Sequence, residues 1–198
     1  MCQLFETIQI VNGKLCNINA HNERFNRARN ELFGLKNHID LTEHIKIPGH
    51  LNKGIIKCRV LYSESIYSIE FLPYIRKKVT TLQMINADGL EYSYKYLDRT
   101  DLDNILKSVK TDEIIIVKSG RITDTSFSNI ILYDGSKWIT PSDYLLNGTC
   151  RSTLLKSKRI ICGDVYAKDI RRYRYIKLIN AMNNMDDNEP IPIRNIKT

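Results

Sequence analysis

GRITDTSFSNIILYDGSKWITPSDYLLNGTCRSTLL, residues 120–155, strings short β-type runs together and then opens a helix. Arg121–Thr125, Asn129–Tyr133 and Lys137–Ile139 read as a three-strand meander, with Asp134-Gly135 as its tight turn. Thr140-Pro141 stops the last run, and the pattern predicts a helix from Ser152 to Arg159. Asp124 thus becomes a carboxylate inside a β-rich segment. Gly148-Thr149-Cys150 lies just ahead of a helix start, where glycine lets backbone N–H groups approach an anion.

Working outward, Leu4 to Ile10 alternates and ends at Asn12-Gly13, a hairpin signal leading into Lys14–Ile18. From His21 to Phe33 the apolar residues Phe25, Ala28, Leu32 and Phe33 fall at helical spacing, and Gly34 supplies the stop. Residues 54–62 and 66–72 read as two strands closed by Pro73. Residues 1–78 are therefore expected to form a small α/β lobe, with RKKVTT (76–81) as connector. Residues 79–198 form a larger, β-rich lobe with a helix over Asp101–Lys110 and strands over Glu113–Val117 and Tyr175–Asn180. The fold class is α+β.

Composition narrows the function. Hydrophobic residues make up 42% and charged residues 26%, as in ordinary globular proteins. No apolar run reaches the length of a membrane span, and the opening MCQLFETIQIVNG lacks the pattern of a signal peptide, so a cytoplasmic protein is expected. Cys2, Cys16, Cys58, Cys150 and Cys162 are odd in number and scattered, against a disulfide framework or a structural zinc site. His38, His44 and His50 match no common metal motif. The net charge of +8 gathers late, in Lys156, Lys158, Arg159, Arg171, Arg172, Arg174 and Lys177. Such a field attracts any polyanion, but no nucleic-acid fold signature accompanies it; a small anionic substrate or a phosphate group uses the same field.

Taken together, Tyr94-Lys95-Tyr96-Leu97-Asp98-Arg99, ITDTSFSN (122–129), LLNGTCR (145–151) and His21-Asn22-Glu23-Arg24-Phe25 resemble the motifs of the class IV, D-amino-acid-aminotransferase-like (fold type IV) pyridoxal-phosphate enzymes. The opening FETI and the closing LINAM…PIPI look closer to its aminodeoxychorismate lyase subfamily. The resemblance implies a two-lobe fold with pyridoxal 5'-phosphate in the cleft, and a homodimer. It implies Lys95 as the lysine that holds the cofactor and shuttles protons, a role that burial favours by lowering an amine's pKa. Asp124 stands where the family usually has a glutamate that keeps the pyridine nitrogen protonated. Arg24 and the Gly148, Thr149 and Cys150 loop would hold the phosphate, with Asn180 and Ala181 as a second phosphate loop. Asn129 would brace the Asp124 segment. Thr7 matches a threonine that lies by the substrate in those lyases, and Arg59 is a candidate cation for a substrate carboxylate. The chain departs from the pattern in short loops between residues 40 and 75, and in a first strand that other members precede with a longer segment.

The activity implied is conversion of 4-amino-4-deoxychorismate to 4-aminobenzoate and pyruvate, a folate-pathway step. The alternative is a class IV aminotransferase acting on a D- or branched-chain amino acid, which needs a keto-acid acceptor where the lyase needs none. A third reading is an inactive member serving as a basic binding module, with salt-sensitive retention on nucleic acid.

Overall fold

A computed structural model describes residues 2–197. The chain divides into two compact units. The first runs up to Arg76 and takes in Tyr94–Asp98; the second holds Lys77–Ser93 and everything from Arg99 onward.

In the first unit, β1 (Leu4–Val11) places Leu4, Ile8 and Ile10 on a fully buried face with Glu6 among them, and buries Phe5 on the opposite face as well. Asn12 and Gly13 both adopt left-handed backbone (φ 48° and 77°), the conformation a two-residue hairpin requires, and lead into β2 (Lys14–Leu15). Helix α1 (Ile18–Phe33) buries His21, Arg24, Phe25, Ala28 and Arg29, a stripe at helical spacing, and ends at a left-handed Gly34. It starts three residues ahead of the expected His21, because Asn17 turns the chain in left-handed conformation right after β2. A short α2 (Leu41–His44) is capped by the Asp40 side chain. Strands β3 (Ile55–Tyr62) and β4 (Ile66–Pro73) complete an antiparallel sheet in the order β2-β1-β3-β4. Residues 94–98 run along β1: Phe5 N donates to the Lys95 carbonyl (3.0 Å), Leu97 N donates to the Gln3 carbonyl (2.8 Å), and Leu4 bridges Tyr96. The core joins the buried face of β1 and β3 to Phe25, Ala28, Leu41 and Ile45.

The second unit packs two sheets over one apolar core. One sheet, ordered β13-β5-β6-β7, holds β5 (Leu82–Asn86), β6 (Glu113–Lys118), β7 (Arg121–Ile122) and the late β13 (Ile196–Lys197). The other, ordered β10-β9-β8-β11-β12, holds β8 (Asn129–Tyr133), β9 (Trp138–Pro141), β10 (Ile161–Gly163), β11 (Tyr175–Ile179) and β12 (Ile191–Pro192). Leu82, Ile115 and Val117 of the first meet Ile130, Leu132, Ile176 and Leu178 of the second. Helices α3 (Thr100–Lys107) and α4 (Thr149–Lys156) complete the unit.

The expected meander is not one sheet. Ser119 and Gly120, both left-handed, fold β7 back onto β6, so Arg121–Ile122 belongs to a different sheet from the β8–β9 hairpin. Strands β5 and β10 are additional to the sequence reading, and α4 begins at Thr149, so Thr149 and Cys150 are its first turn.

Candidate active site

The first unit gathers Lys95, Arg59 and Thr7 on one face of its sheet. Alternation along β1 puts Phe5 and Thr7 opposite the buried face, and Thr7 is paired with Arg59 across β1 and β3. The Phe5 ring is the common neighbour: Lys95 Nζ lies 4.4 Å from its centroid and Arg59 Cζ 5.1 Å. Arg59 is loosely paired, its NH1 3.8 Å from Glu70 Oε2 with both groups part-exposed.

On the buried face, Arg24 meets Glu6, the one acidic residue of β1. Its Nε donates to Glu6 Oε1 at 2.8 Å and its NH2 to Oε2 at 2.5 Å, a bidentate fork, while His21 Nδ1 lies 2.6 Å from the same Oε2. Burial alone would raise the Glu6 carboxyl. The Arg24 charge and the bonds from His21 and Arg24 outweigh it and hold the group at about 2. Burial pushes the His21 pKa below its ordinary value against the pull of Glu6. A sequence signal for Glu6 existed: a carboxylate in the middle of an apolar strand face needs a cation, and His21 and Arg24 are one helical turn apart.

In the second unit, Asp124 is buried and both of its carboxylate oxygens accept hydrogen bonds. Oδ1 accepts from Asn129 Nδ2 (2.7 Å), and Oδ2 accepts from the backbone N–H groups of Leu145 and Leu146 (2.9 Å each). Burial outweighs these bonds and lifts its pKa to about 6. A carboxylate offers about four lone-pair sites, so a further donor at Oδ1 is chemically accommodated. Asn129 also donates to the Leu146 carbonyl (2.9 Å), and a Cβ at Gly148 would stand 1.9 Å from its Oδ1. One amide thus ties Asp124 to the approach to α4. Gly148 is the N-cap residue of α4 and offers no side-chain cap to the first-turn N–H groups. Thr149 and Cys150 are buried, but the Cys150 thiol faces an apolar cluster with Ile131, Leu154 and Ile179, where burial pushes it up to about 12; what it offers an anion is its backbone. Asn180 donates to Ser128 Oγ (2.8 Å), beside Asn129, and accepts from Met182 N and Asn183 N, so the 180–183 turn is tied to the β7–β8 connection that carries Asp124. Ser126 Oγ is buried with no hydrogen-bond partner among the described residues.

The late cations are mostly committed within the second unit. Arg171 donates to the Ile193 and Ile196 carbonyls, Lys177 to the Met185 carbonyl, and Arg159 pairs with Asp186 at 2.7 Å. No described helix is long and apolar enough to cross a membrane.

Comparison with known proteins bears on the family and the fold. The model of the amino-transferase class IV family matches residues 3–186. An uncharacterized protein of Haemophilus influenzae is 38% identical over 188 residues, 93% of this chain and 100% of the relative. A crystal structure from Haemophilus somnus, of a proposed 4-amino-4-deoxychorismate lyase, superposes with a TM-score of 0.86 at 36% identity, covering 93% of this chain and 98% of that one. A hypothetical aminotransferase from Mycobacterium tuberculosis, in a pyridoxal-phosphate-bound form, shares the fold at 17% identity (TM-score 0.76; 98% and 81% covered). Each unit by itself carries groups whose chemistry suits such a cofactor: a lysine and a fixed guanidinium in the first, and in the second an acid of raised pKa, a glycine at a helix start and a buried hydroxyl at Ser126 with no partner among the described residues.

Proposed function

Because the chain belongs to the class IV aminotransferase family of pyridoxal-phosphate enzymes, we propose that it is a lyase converting 4-amino-4-deoxychorismate to 4-aminobenzoate and pyruvate. The reading rests on Lys95, Arg59 and Thr7 sharing one sheet face around Phe5: an amine, a carboxylate-binding fork and a hydroxyl. The cofactor, when bound, supplies an electron sink for bond breaking at the amine-bearing carbon. Lys95 Nζ takes the proton from that carbon. Thr7 Oγ1 gives a hydrogen bond or proton to the departing enolpyruvyl group, and Arg59 holds a substrate carboxylate. Asp124 would be the carboxylate that holds a proton on the ring nitrogen of the bound cofactor. Arg24 of the first unit, and the Gly148, Thr149 and Cys150 backbone and the Asn180-Ala181 turn of the second, would be the groups that hold its phosphate. Atoms balance without a second substrate, because the substrate's carbons divide between the two products and aromatisation drives the step. A homodimer, a cytoplasmic setting and a place in folate synthesis go with this reading.

A class IV aminotransferase acting on a D- or branched-chain amino acid is the second reading, favoured by the family model. The test is 4-aminobenzoate formation by cofactor-loaded protein given 4-amino-4-deoxychorismate and no keto acid, with Lys95→Ala as control. Product that disappears in Lys95→Ala supports the lyase. Absence of product from protein that still shows the Lys95-dependent visible absorbance rejects it and directs the work to transamination with keto acids.

A further inference from the structure

We propose that Glu6 is a positioning residue for the phosphate end of the cofactor, acting through Arg24; this rests on the reading of Arg24 as a phosphate ligand. Glu6 occupies the centre of the buried β1 face, between Leu4 and Ile8, and is itself 0% exposed. A carboxylate there is costly unless paired, and apolar residues at positions 6, 21 and 24 would serve packing alone at least as well. The arrangement instead holds one guanidinium still. The Glu6 oxygens take the Nε/NH2 edge of Arg24 in a fork, which fixes the plane and direction of the guanidinium. His21 completes the clamp. A carboxylate can only accept, so His21 Nδ1 carries the proton it shares with Oε2. An arginine side chain is otherwise free to rotate, and ordering it when phosphate arrives weakens binding; the clamp does that ordering during folding. Glu6 touches neither phosphate nor substrate in this account, and its effect reaches the ligand only through the Arg24 fork.

The test compares two ligands that differ by the phosphate. Dissociation constants for pyridoxal phosphate and for pyridoxal are measured on the full chain for wild type, Glu6→Gln, Glu6→Asp, Arg24→Ala and the Glu6→Gln/Arg24→Ala double variant. Glu6→Gln should weaken pyridoxal phosphate about tenfold or more while leaving pyridoxal within about twofold, a split that general loss of structure would not produce. Glu6→Asp, which keeps the charge, should fall between. The double variant should bind no more weakly than Arg24→Ala alone. A Glu6→Gln protein with the wild-type ratio of the two constants, or one weakened equally for both ligands, overturns the proposal. Should Glu6→Gln not fold, Glu6→Asp decides in the same way: a raised ratio supports the clamp and an unchanged one overturns it. An unchanged ratio in Arg24→Ala is a different result, since it removes Arg24 from the phosphate and the proposal with it.

Discussion

Replacing Gly148 by alanine tests whether Asn129 is the brace of the second unit. The backbone there is unstrained (φ −69°), so the new methyl acts through space alone. It would stand 1.9 Å from Asn129 Oδ1 and 3.1 Å from its Cγ, so the amide must swing away. Swinging breaks the 2.7 Å bond to Asp124 and the 2.9 Å bond to the Leu146 carbonyl. The bond to the carboxylate contributes about 1.5–3 kcal/mol and the bond to the carbonyl about 1 kcal/mol. Against that, losing a glycine from the unfolded chain returns about 0.4–1 kcal/mol. The expected net cost is about 2–3 kcal/mol, a fall in melting temperature of about 5–10 °C for a chain of this size. Thermal unfolding followed by circular dichroism measures it. Asn129→Ala already lacks both bonds and the clash, so adding Gly148→Ala to it should cost little further. A Gly148→Ala protein melting with the wild type, or one whose cost simply adds to that of Asn129→Ala, would refute the reasoning.

Glu6 should impose an acid limb on stability. Its folded-state pKa of about 2 lies below the ordinary 4.5, so its contribution is fully present above pH 4.5 and disappears as pH falls towards 2. The limb is worth about 3 kcal/mol and should be missing from Glu6→Gln in urea titrations across that range. Arg29, almost fully buried, donates to the carbonyls of Glu64 (2.9 Å) and Asn37 (2.8 Å); Arg29→Ala strands both and should cost about 3 kcal/mol in denaturant unfolding. Ser126→Ala removes a buried hydroxyl that has no partner among the described residues, so the protein without cofactor should be more stable by about 1 kcal/mol, read as a higher melting temperature. A lower one would count against an orphaned hydroxyl.

Most elements were legible where periodicity was strong, as in β1, α1, β3 and β8. The Ser119-Gly120 pair is the exception: two left-handed residues between Lys118 and Arg121 make a hairpin back to β6, which breaks the meander. Strand β5, LQMIN, is half polar and short, and it gains its place by pairing with β6 on one side and with β13, more than a hundred residues later, on the other. No local pattern announces such a strand. Glu6 was hidden for a similar reason. Its role depends on α1 packing across β1, a tertiary fact, although its apolar neighbours at two-residue spacing were the clue. Asp124, Asn129 and Gly148 were legible as a motif, but the bonds that join them cross a loop whose path the sequence does not reveal.

Tyr94–Asp98 lies in the first unit while the residues on either side of it lie in the second, so the polypeptide passes between units three times. No single cut separates them. A fragment ending at Arg76 would lack the segment that accepts the Phe5 amide and bridges Leu4, leaving the start of β1 unpaired on the border it shares with β2, and it would also lack Lys95. Dissection of this protein into parts therefore needs the 94–98 segment supplied as a separate peptide or spliced onto the first unit. The lysine travels with the smaller part, held at both ends by the larger.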